Sequence, residues 1–177
     1  MISAIVASDI NFGIGFKNDL LESIPEDLKN FKKLTTDKIV IMGRKTWNSL
    51  PKKPLPNRYN MIITSNPPAE EDENNEFGFY TMSQIQNYLF QTNDDVFIIG
   101  GGQIYKQLLP YCDKIYLTLL DKEYEEVDTY FPNFASSGNW ALTKVSDIKT
   151  YNDISYQFQE YSRTMGSCLE KCEIDKN

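Results

Sequence analysis

The chain has 177 residues, 41% of them apolar and 13% aromatic, which suits one globular domain with a substantial core. A net charge of −7 disfavours nucleic acid as a partner and requires any anionic ligand to be held by local cations. The absence of histidine removes the commonest general base and leaves acid–base work to Asp, Glu, Tyr or water.

Met1 to Ala7 is a short apolar run, with Ile5, Val6 and Ala7 together, and predicts a buried strand. No basic-then-apolar leader precedes it, so no secretory signal is expected, and no run of about 18 apolar residues predicts a membrane span. Asn11 to Gly15 and Lys17-Asn18-Asp19 form a long polar connection, which suits either a binding loop or a plain surface loop.

Ser23 to Leu34 predicts a helix. Ser23 with Glu26 three residues on reads as a capping box, and Pro25 suits a first turn. At about 100° per residue, Leu34, Phe31, Ile24 and Leu28 fill one apolar arc, and the lysines spread over the rest. Asp27 falls inside that arc. Two readings stay open: a structural aspartate bonded near the helix N-terminus, or a functional acid in an apolar pocket whose pKa burial raises.

Ile39 to Met42 predicts a buried strand that runs into Gly43-Arg44-Lys45-Thr46-Trp47, a helix start with two cations and a hydroxyl in its first turn. Such a turn suits phosphate, or simply carries solvated cations. Pro51 to Pro56 is a proline-rich bend leading to Arg58, and Met61 to Thr64 is a further strand closed by Ser65-Asn66-Pro67-Pro68. The acidic stretch Glu70 to Glu73 with Glu76 reads as a solvated loop, followed by a strand over Phe77 to Tyr80 and a helix over Ser83 to Gln91.

Asp95 to Ile99 is a buried strand entering Gly100-Gly101-Gly102-Gln103-Ile104-Tyr105 and a helix through Leu109. Glycines at a strand-to-helix turn let a ligand approach the backbone, although this is not the dinucleotide-binding fingerprint. The cationic and glycine-rich turns together are compatible with gripping a pyrophosphate from both sides. Lys114 to Leu120 is a strand with Thr118 in its middle, and Asp128 to Pro132 is a turn. Trp140 to Val145 and the alternating Ile154 to Tyr161 are the last strands, with Asn152-Asp153 as a hairpin turn. From Arg163 onward the chain reads as a polar tail. Cys112, Cys168 and Cys172 lack a framework spacing and read as reduced thiols of a cytoplasmic protein, and with no histidine no metal site is expected. Strands alternating with helices, then a terminal hairpin, predict a single-domain α/β fold whose central sheet is mostly parallel with a C-terminal antiparallel hairpin, flanked by helices.

Several of these motifs, taken in order, resemble dihydrofolate reductase over roughly residues 1–163. They are Gly13-Ile14-Gly15, Ile24-Pro25-Glu26-Asp27-Leu28 with Phe31, Gly43-Arg44-Lys45-Thr46-Trp47, Leu55-Pro56-Asn57-Arg58, Gly100-Gly101-Gly102-Gln103-Ile104-Tyr105, Tyr116-Leu117-Thr118 and Asp128-Thr129-Tyr130-Phe131-Pro132. The resemblance implies NADPH-dependent reduction of 7,8-dihydrofolate to tetrahydrofolate, in support of one-carbon metabolism and thymidylate synthesis. It also implies a cytoplasmic monomer that binds antifolates, and a domain over 1–163 followed by a tail over 164–177.

On the same basis Asp27 is the family's single catalytic acid, which holds the pterin and promotes protonation at N5. Thr118 would hydrogen-bond Asp27 and the pterin through water. Ile5, Val6, Leu28, Phe31, Leu50 and Ile99 would wall the pterin and benzoyl groups, and Arg58 would clamp the glutamate α-carboxylate. Gly43, Arg44, Lys45 and Thr46 would grip the cofactor's phosphates with Gly101, Gly102 and Gln103, beside a cis peptide between Gly100 and Gly101. Thr64 and Ser65 would line the adenosine. Ala7, Ile14, Leu20, Ile99, Ile104 and Tyr105 would line the rest of the cofactor site, with residues 9–24 as its loop.

One departure stands out. The family usually has Leu-Pro-Trp where this chain has Leu20-Leu21-Glu22. If Glu22 points inward, like-charge repulsion would raise the Asp27 pKa and alter proton delivery and antifolate sensitivity. A second functional class, a non-catalytic nucleotide-binding or scaffold protein on this fold, is distinguished by an absence of NADPH turnover.

Overall fold

The apolar runs become strands of one twisted sheet, and the polar connections carry the helices over its two faces. In the computed structural model, which describes residues 1–68 and 74–164, the elements in chain order begin with β1 (Ile2–Ser8), β2 (Gly13–Phe16), β3 (Asp19–Leu20), α1 (Pro25–Thr35), β4 (Ile39–Gly43) and α2 (Arg44–Ser49). They continue with β5 (Tyr59–Ile63), β6 (Phe77–Tyr80), α3 (Met82–Gln91), β7 (Val96–Gly100), α4 (Gly102–Leu108) and β8 (Lys114–Leu120). The last are β9 (Thr129–Tyr130), β10 (Trp140–Val145), β11 (Lys149–Tyr151) and β12 (Ile154–Arg163).

The main sheet has the order β10-β12-β8-β1-β7-β4-β5-β6, with β11 paired to β12. All neighbours from β8 to β6 run parallel, and β12 is antiparallel to β8 and β10. The expected architecture is therefore the observed one. The central strands carry continuous Ile, Val and Met because both of their faces are covered. Val40, Ile41, Met42, Ile62 and Val96 have no exposed surface, and full burial of each such side chain is worth about 1.5–3 kcal/mol. On one face Trp47 packs with Val40, Met42, Ile62 and Phe97, and on the other Ile41, Ile85, Leu108 and Ile115 share a larger cluster.

Four local expectations need correction. The Ser23–Glu26 capping box does not form: Ile24 is the N-cap, its helix has no side-chain cap bond, and Glu26 turns instead to Tyr156 and Lys149. The capping box lies on α3, where Thr81 accepts from the Gln84 N–H and Gln84 accepts from the Thr81 N–H. The long polar connection holds β2 and β3, which pair in a small second sheet with β9, a strand within the expected turn over 128–132. Its hairpin turns on Lys17 and Asn18, both at positive φ, a two-residue geometry that lysine does not advertise. Arg163 and Thr164 belong to the packed edge rather than to a tail. The guanidinium donates to the carbonyls of Cys112 and Leu109 and stacks on Trp140, and Thr164 N–H donates to Asn139.

Asn152 and Asp153 form a hairpin turn as expected, both at positive φ, but it joins β11 rather than the strand over 140–145 to β12. Cys112 is a free, buried thiol. Glu70 to Glu73, Cys168, Cys172 and the rest of the tail from 165 lie outside the described residues.

Candidate active site

Because β1, β4, β5, β6, β7 and β8 run parallel, their C-terminal ends open on one side of the sheet, where ligands of such sheets bind. A continuous cleft of about 1970 Å³ lies there. Every residue named above as a candidate for substrate or cofactor lines it, with one exception, Thr118.

One half of the cleft is apolar with two charges. Helix α1 contributes Asp27, Leu28 and Phe31, the following bend contributes Leu50 and Arg58, and Ile5, Val6 and Ile99 come from β1 and β7. Leu28 is 45% exposed although it sits on the apolar arc of its helix, as expected of a wall that faces a cavity rather than a core.

Asp27 opens partly to the cleft from the first turn of α1. Burial pushes its carboxyl above the usual aspartate range, and the Thr118 hydroxyl, donating to Oδ1 at 2.5 Å, pulls it back only in part. Thr118 is 4% exposed and stands behind Asp27 on β8, so its bond to the acid is direct and its side chain is not part of the cleft wall. The helix-face anomaly in the sequence is a carboxyl that opens on the apolar half of the cleft and is bonded by Thr118 from behind.

Arg58 is buried, and loss of solvent lowers its guanidinium pKa. Its Nε donates to the Pro56 carbonyl at 3.1 Å and Nη1 to the Thr35 hydroxyl at 3.0 Å, while the group lies 5.7 Å from the Phe31 ring centroid. Among the described residues no carboxylate forms an ion pair with it. A fixed, unneutralised guanidinium at a cleft wall is suited to a carboxylate ligand.

The other half is built from the two strand-to-helix turns, which touch. A Cβ on Gly43 would come within 2.9 Å of Ile104 Cγ1, and one on Gly101 within 3.3 Å of Thr46 Oγ1. The Gly100–Gly101 peptide is cis, as expected. Gly102 lies against β9, where an added Cβ would meet the Tyr130 carbonyl at 3.0 Å. At Gly43 an added Cβ would force a shift, and at Gly101 and Gly102 the contact would be tight. Arg44 packs over the Phe79 ring at 4.5 Å, Lys45 is exposed, and Thr64 and Ser65 follow β5. Tyr105 is buried, and its hydroxyl donates to the Ile5 carbonyl at 2.7 Å, tying α4 to β1.

The loop over 9–24 closes one side. Ile14 and Leu20 line the cleft, and the Lys17 N–H donates to Asp128 Oδ2 at 2.8 Å while the Asp128 N–H donates to the Gly15 carbonyl. Asp9, buried, accepts from the Asn11 and Gly13 N–H groups and fixes the start of the loop. The inward orientation considered for Glu22 is not found. It accepts from the Tyr124 hydroxyl at 3.0 Å, does not line the cleft, and is no cause of the raised Asp27 pKa. Lys32 and Ser49 line the cleft without having been singled out. Each lies about one helical turn beyond a residue that was, Leu28 and Thr46, which is the signal that would have found them.

Comparison with known proteins shows the family. The family model described as Dihydrofolate reductase matches residues 1–163. A dihydrofolate reductase of Buchnera aphidicola (from Acyrthosiphon pisum) is 40% identical over 166 residues, covering 92% of this chain and 99% of that protein. The Bacillus subtilis dihydrofolate reductase is 39% identical over 173 residues, covering 94% and 97%. Among solved structures, dihydrofolate reductase from Enterococcus faecalis complexed with NADP(H) and RAB-propyl superposes with a TM-score of 0.78 at 29% identity, over 93% of this chain and 96% of that one. The chain belongs to the dihydrofolate reductase family.

Proposed function

We propose that this chain reduces 7,8-dihydrofolate to 5,6,7,8-tetrahydrofolate with NADPH, residues 1–163 forming the reductase domain of a cytoplasmic monomer. The observation that carries the reading is Asp27, an acid held up in pKa by burial on the apolar half of a cleft whose other half is two touching strand-to-helix turns. The Enterococcus faecalis relative is described with NADP(H), and glycines at 101 and 102 leave the close backbone approach that such a group needs. When bound, NADPH supplies the hydride that goes to C6 of the pterin.

The chain's own residues do the rest. Asp27 pairs with the polar edge of the pterin and, with its carboxyl pKa raised by burial, promotes protonation at N5. Thr118 holds the Asp27 carboxylate in place from behind. Arg58 clamps the α-carboxylate of the glutamate, and Leu28, Phe31, Leu50 and Ile5 exclude water from the rings. Arg44 and Lys45, with Thr46, Gly101, Gly102 and Gln103, take the cofactor's phosphates, while Ala7, Ile14 and Tyr105 border the nicotinamide.

The test follows NADPH absorbance on addition of dihydrofolate, for the wild type beside Asp27→Asn. Oxidation that collapses in the variant at neutral pH and partly returns toward acid is expected. An absence of oxidation in the wild type, despite tight NADPH binding, overturns the reading.

A further inference from the structure

Helix α1 carries Asp27 in its first turn, yet that turn has no side-chain cap: the N-cap is Ile24, whose side chain cannot accept a hydrogen bond. Something else must fix it. Ile24 is buried with Leu120, Ile154 and Tyr156, and the residue beside Asp27 reaches the same strands. Glu26 takes the Tyr156 hydroxyl on Oε2 at 2.8 Å and the Lys149 ammonium on Oε1 at 2.7 Å. The two consecutive acids of α1 therefore attach to adjacent strands, Asp27 to Thr118 on β8 and Glu26 to Tyr156 on β12. In the antiparallel register Thr118 faces Phe158 and Leu120 faces Tyr156, so the two anchor points lie two residues apart along one face of the sheet.

We propose that Glu26, held by Tyr156 and Lys149, is a positioning residue that sets where the Asp27 carboxyl sits in the cleft. The inference rests on the reductase reading of that cleft. Its value is geometric. The Glu26 side chain is half exposed, and an exposed ion pair adds little to stability, so deleting it changes the placement of the turn more than the survival of the fold. A turn freed from β12 lets water reach Asp27, and burial is the main cause that raises its pKa. Among the described residues, the titratable groups that interact with Asp27 or Glu26 are Tyr156 on β12, Tyr105 on α4, Lys149 on β11 and Lys29 on α1 itself.

The experiment compares the full-length wild type with Glu26→Ala, Glu26→Gln and Tyr156→Phe. NADPH-dependent turnover is followed across pH, and the Asp27 carboxyl is titrated by carbon NMR in ligand-free protein. In Glu26→Ala and Tyr156→Phe, turnover at neutral pH is expected to fall about threefold or more, with its pH profile moved toward acid. The Asp27 titration should move the same way. Glu26→Gln keeps an acceptor for the Tyr156 hydroxyl but loses the Lys149 ion pair, and should fall between the wild type and Glu26→Ala. If the Glu26 charge alone mattered, Glu26→Gln would shift like Glu26→Ala and Tyr156→Phe would not, which overturns the proposal. Lower melting temperatures with superimposed titrations also overturn it. Wild-type protein without turnover refutes the reductase reading instead, and the NMR titration still decides the role of Glu26.

Discussion

Replacing Thr118 by valine isolates the hydrogen bond that Asp27 receives from β8. Valine keeps the branched shape, and at 4% exposure the site admits no water to replace the lost hydroxyl. The bond is short, 2.5 Å, and its acceptor is a carboxylate, which places it in the charge-assisted class. Such bonds are worth about 1.5–3 kcal/mol, whereas the same hydroxyl on a protonated carboxyl is worth about 1 kcal/mol. The loss in unfolding free energy for Thr118→Val should therefore depend on pH. Above the Asp27 pKa it is about 1.5–3 kcal/mol, a factor of roughly 10–100 in the folding equilibrium, and below it the loss shrinks toward about 1 kcal/mol. Because the lost bond favoured the ionised form, the pH profile of turnover should move toward alkali. Urea unfolding at a series of pH values measures the first effect and NADPH oxidation the second. A stability loss that is the same at every pH, or a profile that moves toward acid, refutes the assignment of this bond to the Asp27 carboxylate.

Other perturbations test other parts of the cleft. Asp27 titrates above its unfolded value, so the contribution it makes to stability is full below the ordinary aspartate pKa and is lost as pH rises through the raised one. Asp27→Asn should consequently resist urea better than the wild type at neutral pH and lose that advantage in acid, while its turnover collapses. Arg58→Lys keeps the charge but not the fork that reaches Pro56 and Thr35, on which the proposed clamp of the substrate carboxylate depends. KM for dihydrofolate should rise about tenfold or more with kcat little changed, as steady-state kinetics will show. Gly102→Ala puts a methyl 3.0 Å from the Tyr130 carbonyl and from Thr129 Cγ2, so β9 must shift. Thermal unfolding should report a cost of about 1–3 kcal/mol, and fluorescence titration a weaker hold on NADPH.

The sheet was legible because its strands are buried on both faces. Ile39 to Met42 and Asp95 to Ile99 read as strands on apolar content alone, and they lie at the centre. The small sheet of β2, β3 and β9 was not legible. It has four residues, then two, then two, and its turn uses a lysine at positive φ, so neither periodicity nor turn chemistry marks it. β11 was missed for the same reason, since three residues cannot show an alternation. At the start of α1, serine and glutamate had the right spacing for a capping box, but spacing does not report a competing partner. Tyr156 and Lys149, more than a hundred residues away, took the glutamate.

The same limit governs the site. Gly43 to Thr46 and Gly100 to Gln103, each a weak signal, read together as two sides of a pyrophosphate grip, and the parallel register that sets β4 beside β7 is what brings them together. Glu22 shows the converse. Its charge suggested an effect on Asp27, but the sequence could not say that Tyr124 would draw it aside. Asp27 could be singled out alone because it breaks its own helix pattern, a carboxylate within an apolar arc, but its own stretch left a structural and a functional reading open. Glu26 broke no pattern, being a charged residue on the outer arc of the helix. A residue that acts by holding a neighbour in place looks like surface until its partners are known, so positioning residues are the class that a sequence hides most completely.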